Sequence, residues 1–390
     1  MKIAQSVKQQ NNISPRQELS ALKTAFALTM LKVIQQVPQA KAVTQQIVKE
    51  FESTIPHVIE VTSSLSDFIP SDYLNDVYIG LSRLYYGQGA YHLVTYWREE
   101  GVEAIKCRLG LNSLQTATSL DYLASAYRIE GFYADAELLF LQALEISTKL
   151  LGEHASQVAD HQHNLAGTYR TLGRFNESES YFIKALETRK RLLGNIHSDI
   201  ADSLNSIGLL YVDQENYALA ENCLAQSLEM YKSLYGKKHP YVSANLNNLA
   251  MLYDGQKKYE KAEELYKQAL SIDQDLMGSD HPDLATTFYN LADLYRTQKR
   301  FDEAESFCQK ALDIDEKLGN DHPCVADDLY ILARIHHDRG AYSQAKSLYD
   351  RVLSIRKNRL GVNHPRTIKC IESLRELGVA CAKSAKDKDK

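Results

Sequence analysis

The stretch from Gly236 to Gly278 carries a hydrophobic pattern that most of the chain repeats. In its first half, apolar residues recur at three- and four-residue spacing, which places them on one face of a helix: Val242, Leu246, Leu249, Ala250 and Tyr253. A Lys-Lys-Tyr turn follows, and a second set marks another amphipathic helix: Ala262, Leu265, Tyr266, Ala269, Leu270 and Leu276. The pattern predicts an antiparallel helix pair. Such a pair cannot bury its own apolar face, so it needs copies on both sides.

Copies of this unit occur at a nearly constant period. A glycine closes each unit, with successive spacings of 42 residues except for one of 41: Gly110, Gly152, Gly194, Gly236, Gly278, Gly319 and Gly361. The position of Leu249 is apolar in every copy, and the position of Ala250 is small: Leu123, Leu165, Ile207, Leu249, Leu291 and Leu332, then Ala124, Ala166, Gly208, Ala250, Ala292 and Ala333. The period predicts an array of stacked helix pairs.

The pattern of the two helices resembles the tetratricopeptide repeat. The first helix has leucine, a small residue and tyrosine, and the second has alanine and an aromatic residue. The generic unit of that family has 34 residues, so a 42-residue unit has about one extra turn per helix. The junctions read Leu-Tyr-Gly-Lys-Lys-His239-Pro240, with His-Pro recurring at 281–282, 322–323 and 364–365, and Asn247-Asn248-Leu249-Ala250 follows in the first helix. These details are similar to the kinesin light chain subclass, and the resemblance covers roughly residues 72–381.

The resemblance implies an all-α, right-handed superhelical solenoid of antiparallel helix pairs. We predict an N-terminal helical extension over residues 1–71, with about the first 14 residues disordered. Residues 72–362 form seven repeats, of which the first is degenerate. A capping helix follows over residues 363–382, and residues 383–390 form a charged tail.

The apolar run Ala25–Val37 has two interpretations. A signal peptide ending near Ala40-Lys41-Ala42 is one, but Lys32 interrupts the run and charged residues precede it. A packing helix is therefore favoured. The sustained heptads that join kinesin light chains to their motor are not found in this region. No run reaches the roughly eighteen apolar residues of a membrane span.

Composition narrows the class of protein. A formal net charge of −5 argues against bulk nucleic-acid binding, which needs a clustered basic excess. The six cysteines include no Cys-x-x-Cys pair, so we expect reduced thiols in a cytoplasmic protein.

Candidate chemistry is sparse in the sequence. We find no nucleophile elbow, phosphate-binding loop or dinucleotide fingerprint. His161 with His163, and His336 with His337, lack the three- or four-residue spacing that would place two ligands on one helix face. We therefore expect no catalytic residues, no metal and no cofactor.

The family resemblance places the first helices on the concave face, and three positions in register there are polar. The position of Asn247 reads Asp121, His163, Asn205, Asn247, Tyr289 and Tyr330. The position of Asn248 reads Tyr122, Asn164, Ser206, Asn248, Asn290 and Ile331, and the position of Asp254 reads Arg128, Arg170, Val212, Asp254, Arg296 and His337. We call these the groove columns.

Asparagine can donate to a peptide carbonyl and accept from its N–H at once, and arginine recognises carboxylates or phosphates. The predicted ligand-binding residues are therefore Asn164, Asn205, Asn247, Asn248, Asn290, Arg128, Arg170 and Arg296. In the alternative interpretation, the asparagines bond a neighbouring repeat and the arginines are solvated.

Two functions fit the pattern. The first is a non-enzymatic adaptor that holds peptide segments of partner proteins, among them acidic or phosphorylated segments, in the concave groove. The second is a regulatory sensor or subunit whose array binds a peptide or small ligand and signals through the N-terminal helices. Neither function involves nucleic acid or a membrane.

Overall fold

A computed structural model describes residues 14–37, 49–88, 90–277 and 282–388. These residues contain α-helices and short 3-10 turns, and none of them lies in a β-strand. The chain divides into two compact units, residues 1–119 and 120–390, and we describe each by itself. Every helix in the described ranges is too short or too polar to cross a lipid bilayer.

The first unit contains the N-terminal extension and the first repeat. Its helices are α1 (Pro15–Ile34), α2 (Ile55–Ser64), α3 (Leu74–Gly87) and α4 (Tyr91–Leu109). The side chain of Ser14 and that of Gln17 form a reciprocal capping box at the start of α1. The predicted disorder of the first 14 residues lies, except for Ser14, outside the described residues.

Helix α1 packs closely on the first repeat within this unit. A Cβ added at Gly80 of α3 would lie 2.3 Å from Cγ1 of Ile34, so only glycine leaves room for α1 there. Gly80 stands in register with Asn164 and Asn248, because the period places it 84 residues before Asn164. Helix α1 therefore covers the groove column of the first repeat. Trp97 belongs to the same buried core as Leu31 and Ile34.

The second unit contains the remaining helix pairs. Helix α5 (Leu114–Glu130) begins before the boundary between the units. The others are α6 (Tyr133–Leu151), α7 (Ser156–Thr171), α8 (Phe175–Leu193), α9 (Ser198–Asp213), α10 (Tyr217–Tyr235), α11 (Pro240–Gly255), α12 (Tyr259–Met277), α13 (Pro282–Thr297), α14 (Phe301–Asp315), α15 (Pro323–Asp338), α16 (Tyr342–Leu360) and α17 (Pro365–Lys388). Consecutive helices pack as pairs, which confirms the predicted all-α solenoid. Helix α17 continues through residues 383–388, most of the predicted tail, and residues 389–390 lie outside the described range.

The small positions of the pattern are buried where the helices of a pair meet. Ala250 of α11 and Ala262 of α12 are both fully buried, and Tyr266 packs into the same core. Gly208 takes the place of Ala250 in the repeat of α9. A Cβ there would lie 2.6 Å from Cγ of Leu224, so the absence of a side chain lets α10 approach.

One position of the first helix is tyrosine in all but the last of repeats two to seven: Tyr127, Tyr169, Tyr211, Tyr253 and Tyr295, with His336 in the last. This tyrosine column forms hydrogen bonds between a repeat and the preceding one. The hydroxyls of Tyr211 and Tyr295 donate to carboxylates 32 residues earlier, Glu179 at 2.6 Å and Glu263 at 2.8 Å. Tyr253 makes the same bond to Glu221. The tyrosine column therefore has a polar tip that fixes the register between repeats as well as an apolar ring that fills the core.

The junction histidines cap the first helices. In His239, His322 and His364, Nδ1 accepts the backbone N–H two residues later, at 3.1–3.2 Å. A ring nitrogen that accepts must be unprotonated, so the cap requires a neutral imidazole. Proline follows each of these histidines, where its missing N–H costs nothing.

The last junction also joins the two ends of the second unit. With Nδ1 of His364 accepting, its Nε2–H donates to the carbonyl of Ile129, 3.3 Å away and 235 residues earlier in the chain. A Cβ at Gly131, where φ is +83°, would lie 2.8 Å from Cδ2 of His364. The array of the second unit therefore returns to its own start.

We expect the closing helix to be required for stability. Leu377 of α17 is 2% exposed in a core with Leu329 and Tyr349, whereas Val379 on the same helix is 57% exposed. Leu377→Ala should lower the free energy of unfolding by about 2–5 kcal/mol through lost burial and a cavity. Val379→Ala is the matched control and should change it by less than about 0.5 kcal/mol. Urea denaturation monitored by circular dichroism measures both, and equal effects would place α17 outside the core.

The histidine cap predicts a loss of stability in acid. Burial lowers the pKa of His322 to about 4, below its ordinary value of 6.5. The unfolded chain therefore binds a proton at a pH where the folded protein does not. The contribution of His322 is complete above pH 6.5 and is lost as pH falls toward 4, by on the order of 3 kcal/mol.

Asparagine also caps helices, so His322→Asn should retain the cap and flatten the pH profile of unfolding between pH 7 and 4.5. His239→Asn is the control. Burial also lowers the pKa of His239, but this residue is less buried than His322, so the change in profile should be smaller. An unaltered profile in His322→Asn would exclude the imidazole as the source of the acid sensitivity.

Candidate functional site

The groove columns form a ladder of hydrogen bonds between successive repeats. Asn164 donates to Asp121 at 2.9 Å, and Asn248 donates to Asn205 at 2.8 Å, each across 43 residues. Ser206 with His163, at 3.4 Å, and Ser373 of α17 with Tyr330, at 2.9 Å, occupy the same relative positions. Polar side chains on the first helices thus form hydrogen bonds to neighbouring repeats, as the alternative interpretation of the asparagines predicts.

These asparagines retain part of their bonding capacity. Asn164 and Asn248 use their amide N–H groups in the ladder, and no group in the described ranges donates to their Oδ1 atoms. Asn205 accepts from both Asn245 and Asn248. The columns therefore remain able to bind a peptide, and their assignment as ligand-binding residues remains a prediction.

The arginine column is paired in a similar way. Arg170 lies 3.4 Å from Asp213 of the next repeat. Arg296 contacts Asp293 in its own helix at 2.7 Å and Asp338 of the next repeat at 2.6 Å. Arg128 lies beside α7, with Nη1 3.7 Å from the position that a Cβ at Gly167 would occupy. Arg170 and Arg296 therefore form ion pairs within the array and are not simply solvated, as the alternative interpretation expected.

The ladder is open where Asn290 and Tyr289 lie, and we call this place the open rung. Ile331, in register with Asn290 in the next repeat, has no polar group to meet Tyr289. Asn247 is buried and donates to Thr287 at 2.9 Å, so its amide does not meet Asn290, the residue 43 positions later. Within the described ranges, neither the amide of Asn290 nor the hydroxyl of Tyr289 makes a hydrogen bond. These two groups are half-buried and available to a ligand.

A cavity of about 370 Å³ lies beside this open rung. It is bounded by α13, the end of α14, α15, α16 and α17, and its polar lining includes Tyr289, Asn290, Asp315, Asp328, Arg356 and Lys369. The lining combines hydrogen-bonding groups with both signs of charge. A ligand in this cavity would therefore meet neutral donors and acceptors as well as charged groups.

Two buried carboxyl groups lie together on the lining of the cavity. Asp315 is 6% exposed and Asp328 is 2% exposed, and their carboxyls are hydrogen-bonded to each other. Burial raises the pKa of both groups, and the proximity of Asp315 adds to the increase at Asp328. The Oδ2 atom of Asp328 accepts from no amide, hydroxyl or guanidinium.

The neighbouring carboxylate, Asp327, is in the opposite situation. Arg356 donates to its Oδ1 at 2.8 Å and Arg366 to its Oδ2 at 2.6 Å. Arg356 also donates to the carbonyl of Arg366 and lies over the ring of Tyr330, 4.6 Å from its centroid. The two guanidinium groups are thus committed to Asp327, and neither is hydrogen-bonded to the carboxyl pair.

The repeat register shows how unusual the pair is. The positions equivalent to Asp315 in successive second helices are Ser147, Arg189, Tyr231, Asp273, Asp315 and Arg356. Arg189 and Arg356 each bind an aspartate 29 residues earlier, Tyr231 donates to Asp202, and Asp273 accepts from Ser243 at 2.5 Å. At Asp315 the partner is a second carboxyl, that of Asp328.

The histidine candidates belong to the packing of the array. His161 contacts Asp121 at 2.8 Å, and His336 lies 4.0 Å from Glu305, where the tyrosine column places its hydroxyl in the other repeats. Burial, with Arg189 and Arg128 nearby, lowers the pKa of His163 to about 3. In the described ranges, no three His, Cys, Asp or Glu side chains are grouped to hold a metal ion.

A family model described as tetratricopeptide repeat matches the sequence at residues 115–191, 199–275, 256–317 and 283–358. Together these segments cover more than half of the chain. The chain belongs to the tetratricopeptide repeat family.

Several solved structures are similar to this chain. A Rap protein complexed with competence and sporulation factor has a TM-score of 0.54 at 14% identity, covering 92% of this chain and 99% of its own. The apo form of RapI has a TM-score of 0.53 at 19% identity, covering 69% and 93%. BtubC (BKLC) from P. vanneervenii has a TM-score of 0.48 at 22% identity, covering 59% and 92%. Among curated proteins, none matches the chain.

The carboxyl pair predicts an unusual dependence of stability on pH. Because burial raises the pKa of Asp328 above its ordinary 3.8, the folded protein holds a proton that the unfolded chain releases. The contribution of the pair is therefore most favourable near pH 4 and is lost as pH rises through neutrality. Asp328→Asn does not undergo this loss. Its free energy of unfolding relative to that of wild type should therefore increase by about 1 kcal/mol or more between pH 5 and pH 8.

Asp313→Asn provides the matched control for this experiment. Asp313 lies two residues from Asp315 on the exposed face of α14, so the variant changes the net charge equally without touching the pair. Urea titrations at pH 5 and pH 8 measure the difference for both variants. A constant loss of stability in Asp328→Asn at both pH values would show that the buried carboxyl is not protonated in the folded protein.

Proposed function

We propose that the array is a non-enzymatic scaffold that binds peptide segments of partner proteins along the groove columns. The observation that carries this proposal is the open rung of the ladder, where Asn290 and Tyr289 present unbonded polar groups beside a cavity of about 370 Å³. Elsewhere the ladder is closed between repeats. We infer that binding centres on α13 and α15 and extends along the columns toward Asn248 and Asn164.

The chemistry of the columns suits an extended peptide. Each carboxamide can donate and accept, so it can bond backbone without reading sequence. The unused Oδ1 atoms of Asn164 and Asn248 can accept a peptide N–H while their own N–H groups stay in the ladder. A bound segment would then add hydrogen bonds to the array without breaking existing ones.

An acidic or phosphorylated segment would bind the arginines by replacing the aspartates with which they are paired. Arg170 and Arg296 already face Asp213 and Asp338, so a ligand carboxylate or phosphate would have to replace these partners. Phosphate, with its greater charge, is the stronger competitor. Because these ion pairs are partly exposed, such binding should weaken as salt concentration rises.

One observation favours the regulatory alternative. The Rap protein solved with competence and sporulation factor matches 92% of this chain, a share that includes residues of the N-terminal extension as well as the repeats. In the first unit, Ile34 of α1 occupies the groove column at Gly80. An extension that contacts the binding face of a repeat is placed to respond to a ligand on that face.

The test starts from a synthetic library of linear hexapeptides passed over the immobilised full chain, with retained peptides identified by mass spectrometry. Affinities of a retained peptide are then measured for variants by fluorescence anisotropy. Asn290→Ala should weaken binding by roughly two- to ten-fold, the effect of one neutral hydrogen bond. Tyr289→Phe should do the same, and Asn248→Ala tests the extension of the site. Asn222→Ala, an exposed amide on α10, is the matched control and should leave affinity unchanged.

Three outcomes decide between the hypotheses. Loss of affinity in Asn290→Ala and Tyr289→Phe, with circular dichroism unchanged, supports the groove. Unchanged affinity in both variants, and in Arg170→Ala/Arg296→Ala, would exclude the groove columns as the binding surface. A ligand-dependent change in hydrogen exchange of α1 would favour the sensor over the simple scaffold.

A further inference from the structure

The carboxyl pair at the base of the cavity lacks a compensating cation. Asp315 and Asp328 are more than nine-tenths buried, and the electrostatic environment of both is dominated by burial and by other carboxylates, Asp327 among them. Buried charges in proteins are normally paired, because an unpaired one costs several kcal/mol. Here the pair is placed on a cavity and left without a basic partner.

The basic residues around the cavity are engaged elsewhere or lie at its rim. Arg356 and Arg366 hold Asp327 in a two-sided ion pair. Lys369 is exposed at the start of α17 and makes no hydrogen bond or ion pair within the described ranges. Arg356 is 3% exposed, and its Nε–H has no acceptor, so the lining retains an unused donor as well as an unused acceptor at Asp328.

The other repeats show what the position normally contains. Where the second helix contributes Arg189 or Arg356, the partner is Asp160 or Asp327, and the site is neutral without a ligand. At Asp315, as at Asp273 one repeat earlier, the position holds a buried carboxyl, and the group hydrogen-bonded to Asp315 is the carboxyl of Asp328. A cation that binds here would supply the charge balance that the Arg189–Asp160 and Arg356–Asp327 pairs have internally.

We propose that Asp315 and Asp328 form a subsite for a primary ammonium group of a peptide held in the groove, with Asn290 and Tyr289 bonding the adjacent backbone. This rests on the proposed peptide-binding function and names one chemical group that the ligand carries. Three N–H donors suit two carboxyl groups and the Tyr289 hydroxyl, and the ammonium displaces the shared proton on binding. A divalent metal ion is disfavoured because the described side chains near the pair do not form a coordinating group of three.

A peptide can supply a primary ammonium from its amino terminus or from a lysine side chain. Three hexapeptide libraries distinguish the sources: one with free amino termini and no lysine, one N-acetylated with lysine, and one N-acetylated without lysine. Each is passed over immobilised full chain, and retention is quantified by mass spectrometry. We expect one of the first two libraries to be retained roughly ten-fold or more above the third, the effect of one charge-assisted hydrogen bond.

Variants locate the preference in the pair. Asp315→Asn/Asp328→Asn should reduce the ratio between the ammonium-bearing and ammonium-free libraries to about one. Asp313→Asn, which removes the same kind of charge from the exposed face of α14, should leave the ratio unchanged. Should the double variant fail to fold, the wild-type ratio and the Asp328→Asn single variant provide the same comparison.

The outcomes separate this inference from the proposed function. If wild type retains all three libraries equally, or if the preference survives in the Asp315→Asn/Asp328→Asn variant, the ammonium subsite is wrong while peptide binding stands. If wild type retains none of the libraries, peptide binding and the subsite both fail. Retention of the free-terminus library alone assigns the subsite to a peptide amino terminus, and retention of the lysine library assigns it to a side chain.

Discussion

The structure depends on how closely the two helices of each repeat approach, and that distance is set by one position that stays small. Ala250 is fully buried, and at Gly208 even a methyl group would meet Leu224. Because the same spacing recurs with every repeat, side chains 43 residues apart come within hydrogen-bonding distance again and again. The polar ladder of the groove, seen between Asn164 and Asp121 and between Asn248 and Asn205, follows from this packing.

The ladder explains why a candidate site appears where the register changes. Helix α14 has 15 residues, whereas α10 and α12 have 19, and it ends at Asp315 in a 3-10 turn before Gly319. The unit that ends at Gly319 is the one with a spacing of 41. The open rung at Asn290 and the cavity beside it lie in this shortened region. A regular repeat satisfies its polar groups internally, so a binding site needs an irregularity such as this one.

The features that follow from the 42-residue period could be predicted from the sequence. The hydrogen-bond partners of individual side chains mostly could not. The helix pairs, the buried columns and the alignment of Asn164, Asn248 and Asn290 all follow from a 42-residue spacing. The partners of these side chains do not, since a half-buried asparagine can bond a peptide or a neighbouring repeat equally well. The contact between His364 and Ile129 joins residues 235 positions apart, and no local pattern predicts it. Asp315 offered one usable signal in the sequence, because the register places a carboxyl there and at Asp273 between Tyr231 and Arg356.

A buried carboxyl pair is tolerated here because of the way repeat arrays distribute stability. Each repeat contributes its own stability and that of its interfaces, so a local cost at Asp328 is shared with well-packed neighbours such as the core around Tyr349. The closing helix, which His364 caps and joins to Ile129, adds further packing beside the cavity. In a globular domain of marginal stability the same pair would be removed by repacking. In this array the pair can be retained. Its unfavourable contribution to folding is relieved when a ligand binds that supplies the missing positive charge, and this relief adds to the affinity for that ligand.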